Sequence, residues 1–158
     1  MTTEEVDLEK DLPLLANVDD VRVRHYMFKF TPDFETKTFS TEVILVLEVL
    51  RETSEAMEMV LDARDIRVKS VQSINYPEED TAEKTADSFE LRKDEDNFEK
   101  WFSYPRSNDL TYQANPWSIN IKTSKSIFPS AIYIHFETKE KGWINSLSRV
   151  SFSCYISY

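Results

Sequence analysis

The chain has 158 residues, 41% of them hydrophobic and 13% aromatic, which suits one domain with its own core and excludes a disordered composition. A net charge of −10 gives no basic footprint for nucleic acid or for an anionic membrane surface. One glycine and one cysteine exclude Gly-rich phosphate loops, an intrachain disulfide and a cysteine-based zinc site.

Residues 1–18 read as an acidic N-terminal arm with a small apolar patch, LPLLA at residues 12–16. The arm is either loose or docked through that patch. It lacks the basic and apolar regions of a signal peptide. From Val21 the pattern has period two. Val21 and Val23 share one face; Tyr26, Phe28 and Phe30 share a face after a slip near Arg24 and His25. Such a slip predicts a β-bulge. TPDFETKT reads as a turn, and a second strand follows with Val43, Leu45, Leu47 and Val49 on one face. The two strands are expected to be antiparallel neighbours. The longest apolar run, residues 43–47, is too short to span a bilayer.

A third strand is expected where Met59, Leu61 and Ala63 alternate, then Ile66 and Val68, then Val71 and Ile74 after another slip. Residues 75–114 read as an acidic insertion. Within it Phe98, Trp101 and Phe102 have helical spacing, and Pro105 stops that short helix. Strands resume with Trp117, Ile119 and Ile121, then with Ile132, Ile134 and Phe136. Residues 19–142 form the expected β-domain, a mostly β, twisted antiparallel sandwich or saddle, and residues 143–158 a divergent C-terminal tail.

Candidate chemistry is sparse. Asp62 and Asp65 lie three apart, so on one strand they point to opposite faces. If Ala63, Arg64 and Asp65 form a bulge or turn, the aspartates satisfy backbone N–H groups instead. His25 and His135 are the two histidines; with a carboxylate they make a metal site only if their strands bring them together. His135, Phe136 and Glu137 echo the H-x-E of zinc deaminases, but the accompanying cysteine pair is absent. Cys154 has no base nearby in sequence and reads as a structural or free thiol. No catalytic, metal or cofactor-binding residue is therefore assigned.

A resemblance does emerge from the order of several short strings. His25 and Tyr26, then Phe39, Ser40 and Thr41, then Leu61, Asp62, Ala63 and Ile66 follow one another as in the N-terminal β-saddle of the aminopeptidase N-like zinc aminopeptidases. NPWSINIKTSKSIFPSAIYIHFETKEKG is similar to a later segment of that domain, where a Trp strand precedes a Phe-Pro and another strand. The resemblance runs from about Asp11 to Gly142. It implies a sheet-framework role for Leu61, Asp62 and Ala63. It also implies zinc and a peptide substrate in the full-length relatives, with neither in this chain, because the family's G-A-M-E-N-type and H-E-x-x-H motifs do not occur here. Thr41 stands where the family has glycine, so a bend there must be made differently. The expected role is a non-catalytic β-domain of a longer enzyme. The alternative is a stand-alone protein-binding module using a sheet edge or the acidic insertion. The cytoplasm is the expected compartment, and the resemblance leaves the nucleus open.

Overall fold

A computed structural model describes residues 14–51, 57–75, 95–125, 127–145 and 151–156, with side chains described for 14–51, 57–75, 98–125 and 127–138. Among these residues eight strands and one helix follow in the order β1 (Val21–Asp33), β2 (Thr38–Val49), β3 (Glu58–Ile74), α1 (Glu95–Ser103), β4 (Arg106–Ser107), β5 (Leu110–Ala114), β6 (Ser118–Thr123), β7 (Ala131–Asn145) and β8 (Ser151–Ile156). They pair in one path, β5-β6-β3-β7-β2-β1-β8, with β4 added to β3. All pairs are antiparallel except β1 with β8.

The expected phase slips are register shifts. One lies between Val23 and His25 in β1. Two lie in β3, between Arg64 and Ile66 and between Val68 and Ser70. The bulge in β3 is made by Asp65, at φ 53°. Aspartate tolerates this left-handed conformation better than most residues, because its short side chain can bond locally. The turn between β1 and β2 is held the same way. Asp33 Oδ1 accepts from the Glu35 and Thr36 amides at 2.9 and 3.1 Å, and Lys37 takes φ 54°.

These shifts fold the continuous sheet over on itself. A straight strand of the length of β3 would hold its ends about 53 Å apart. Yet Glu58, at one end, pairs with Lys122 of β6, while Ser73, near the other, bonds Asp109. Asp109 in turn accepts the Ser124 amide, two residues past Lys122. The bulges therefore turn a corner, as they do where strands pass between the two layers of a sandwich. One layer holds β5, β6, the first part of β3 and residues 143–145 of β7. The other holds the second part of β3, residues 131–138 of β7, β2, β1 and β8.

The main core lies between these layers. Met59, Leu61, Ala63, Ile119 and Ile121 come from the first. Val23, Tyr26, Val43, Leu45, Val71, Ile132, Ile134 and Phe136 come from the second. A second cluster covers the outer face of the second layer, where Met27, Ile44, Val46, Ala131 and Tyr133 are packed by Phe98, Trp101, Phe102 and Tyr104 from α1 and the residues after it. This is the short amphipathic helix that the spacing predicts, and it ends before Pro105.

The acidic stretch 76–94 lies outside the described residues. The end of the segment read as an insertion, from Arg106 to Ala114, supplies β4 and β5. Past Gly142, β7 continues to Asn145 against β3, and β8 adds in parallel to β1. Thr41 is wholly buried in β2 between Phe30 and Phe136, with no register shift there. No bulge is made at this position. No helix among the described residues is long and apolar enough to cross a membrane.

Candidate functional site

Asp62 is the most deeply buried carboxylate described on β3. Its neighbours Leu61 and Ala63 point into the core between the layers, so by alternation Asp62 points to the other face. It is still only 1% exposed, because residues 14–20 cross over it. Asp62 Oδ1 accepts the Leu15 amide at 2.6 Å and the Ala16 amide at 3.1 Å. The next residue, Asn17, works as a side-chain stand-in for a strand. Its Oδ1 accepts from the Val60 amide at 2.7 Å, and its Nδ2 donates to the Glu58 carbonyl at 2.8 Å. The part of the apolar patch that is described is thus docked, by hydrogen bonds to its backbone. Leu15 itself stays 46% exposed.

Asp65 does not join Asp62. It occupies the bulge and pairs with Arg64, Nε to Oδ2 at 3.4 Å. The Arg64 guanidinium lies over the Trp117 ring at 5.0 Å. Both aspartates are sheet chemistry: one bonds amides, the other fits a left-handed bulge.

The two histidines lie on one face but do not meet. His25 is buried at the β1 bulge, opposite Val46. His135 is opposite Glu42, with Nε2 3.0 Å from Ser40 Oγ. Four residues along the strand and two strands across put them about 16 Å apart. Cys154 is in register with Phe28 on β8. Among the described residues, no group of three His, Cys, Asp or Glu could hold a metal ion.

Two polar constellations were not legible as sites. The first surrounds Tyr133. Burial pushes its phenol up to about 12, the nearby Glu42 carboxylate adds to this, and Arg106 opposes it. The Arg106 guanidinium stacks 3.6 Å from the centre of the Tyr133 ring and donates to the Phe102 carbonyl at 3.0 Å. It caps the last turn of α1 and fastens it to the sheet. The second is Asp109. Burial raises its carboxyl, but hydrogen bonds from Lys125 and Ser73 outweigh this and hold it below the usual carboxylate range. Ser73 reaches it because β4 pairs with the end of β3, where Ser107 lies opposite Ser73.

Asp62, Asp109, Arg106 and His135 thus bond backbone or other side chains. No family model matches the chain. Among solved structures, yeast leukotriene A4 hydrolase in complex with bestatin matches 89% of this chain and 18% of its own, at 17% identity and a TM-score of 0.50. Native leukotriene A4 hydrolase from Saccharomyces cerevisiae matches 85% of this chain and 19% of its own, at 17% identity and 0.48. A mutant M1 zinc metallopeptidase from Deinococcus radiodurans, bound to a Tyr-Ser-Ala substrate, matches 76% and 21%, at 12% identity and 0.45. The chain spans about a fifth of the length of these structures. The likeness is one of fold: this chain has the β-sandwich fold of a segment of yeast leukotriene A4 hydrolase, the fold that the sequence resemblance implied.

Proposed function

We propose that this chain is the N-terminal β-domain of a zinc aminopeptidase-like protein and carries none of the peptide-bond chemistry itself. The fold match over 89% of the chain carries this reading. The strings around Tyr26, Thr41 and Asp62 support it independently. In this reading the cleavage of residues from peptide N-termini needs a zinc-bound water and a general base. Both would come from a domain beyond the 158 residues, and the present chain would be a truncated form. Its own carboxylates and histidines are committed to the sandwich: Asp62 to amides, Asp65 to a bulge, His25 and His135 to separate positions. The proposed compartment is the cytoplasm.

The intact mass of the native protein tests this. It would be captured from its own cells with an antibody against residues 76–94. A species several times heavier than 18.6 kDa is expected. A single species at 18.6 kDa would overturn it and leave the second reading, a stand-alone protein-binding module. The edge of β5, which faces no other strand among the described residues, favours that alternative, since unpaired backbone groups are a template for strand addition.

A further inference from the structure

β5 ends the strand path, so one of its edges faces no other strand among the described residues. Which groups line that edge follows from two hydrogen bonds. The Asn115 amide donates to the Ser118 carbonyl, and the Ser124 amide to the Asp109 carbonyl. Both pairs belong to the β5–β6 register. Antiparallel pairing alternates bonded and non-bonded positions. Residues 109, 111, 113 and 115 therefore turn their amides and carbonyls to β6. Tyr112 and Ala114 turn theirs outward, and nothing among the described residues receives them. Residues 111–116 are all exposed, and Tyr112 is 40% exposed.

The edge is also uncharged. Residues 110–121, LTYQANPWSINI, are the longest run without a charged residue. Edge strands are usually guarded by lysine, by an inward charge or by a covering segment. The charges closest to β5 are paired: Asp109 with Lys125, and Lys122 with Glu58. In a chain of net charge −10, this is where another copy meets least repulsion.

We propose that β5 pairs with β5 of a second copy, antiparallel, about a two-fold axis through Gln113. This deepens and rests on the second reading above, that the chain binds protein through a sheet edge. Self-pairing there sets Tyr112 opposite Ala114 of the partner and Ala114 opposite the partner's Tyr112, large against small. It satisfies the outward amides and carbonyls of both residues in both copies. Thr111 falls opposite Asn115, and Gln113 opposite itself. The interface is isologous and closes at two, so it forms a dimer and not a fibre. A contact this short lies well below the roughly 1,000 Å² of a stable complex. The dimer is accordingly weak and depends on concentration.

The test is sedimentation equilibrium of the full 158-residue chain at rising protein and salt concentration, with amide exchange read residue by residue. The expected result is a monomer–dimer equilibrium that tightens as salt screens the acidic copies from each other. The Tyr112 and Ala114 amides become protected as the dimer fills, whereas the Thr111 and Gln113 amides are already protected in the monomer. Gln113→Lys places two ammonium groups across the axis and weakens the dimer by roughly tenfold or more. Ala114→Pro removes an outward donor without touching the β6 ladder and does the same; unchanged melting of both variants shows that the fold is intact. A chain that stays monomeric up to about 1 mM overturns the proposal. So does a dimer that both variants leave unchanged. A different protein captured on β5 while the pure chain stays monomeric would overturn the second copy and keep the edge reading. The intact-mass measurement decides the first reading separately.

Discussion

Asp62 shows how one buried carboxylate can be tied up by backbone amides. A carboxylate at this burial is costly unless its oxygens are bonded. The Leu15 and Ala16 amides do this, and Asn17 two residues on repeats the device against Glu58 and Val60. Removing the acceptor leaves two amides of the crossing segment without a partner. Asp62→Ala is expected to cost about 2–3 kcal/mol, the range for bonds to a charged group together with the desolvated donors left behind. Urea unfolding measures it, and limited proteolysis should cut faster near Leu14. Were Asp62 a catalytic group held in strain, the same change would leave stability level or raise it.

At the scale of elements, α1 is a cover for the outer face of the second layer. Its aromatic side chains lie on Met27, Ile44 and Ala131, with Lys29 over the Phe102 ring at 5.6 Å and Arg106 under the helix end. Tyr133 is enclosed in this contact, which gives a readout in alkali. The folded phenol keeps its proton to about pH 12, while the unfolded chain releases it near the ordinary value of 10. Between those values the unfolded state binds fewer protons, so stability falls as pH rises. Below pH 10 the contribution is whole. Tyr133→Phe is expected to make the fall in melting temperature between about pH 10 and 12 shallower; an equal slope in both proteins would show that the phenol is not held neutral in the folded state. Most of this architecture was legible beforehand. Spacing alone gave the helix at Phe98, Trp101 and Phe102, and the slips at His25 and after Val68 were visible because a bulge resets a period of two. What α1 packs against was not legible, since a helical stripe names no partner.

At the scale of the whole molecule, the question is what keeps a single sheet folded into two layers. The bulge at Asp65 makes the corner, but a corner needs its far ends held. Asp109 holds them: it bonds Ser73 at the end of β3 and Lys125 just past β6, and its carbonyl accepts the Ser124 amide. None of this could be read from the sequence, because Ser73 and Asp109 are 36 residues apart and meet through the pairing of β4 with the end of β3. The consequence is a dependence on acid. The Asp109 carboxyl lies below its ordinary value of 3.8 in the folded chain, burial being outweighed by Lys125 and Ser73. The unfolded chain therefore takes up the proton first as pH falls. The stabilisation is complete above the ordinary value and is lost as pH drops through it towards the depressed folded value. Asp33 is depressed too, by the Thr36 and Glu35 amides, but it closes only a local turn. Asp109→Asn keeps the shape and removes the charge. It should lower stability at neutral pH and flatten the acid limb below about pH 4, whereas Asp33→Asn changes the acid limb with little effect on the closure. Amide exchange separates the two. In Asp109→Asn the β3 end and the chain just past β6 should loosen together, at Ser73 and Lys125, because one carboxylate bonds both.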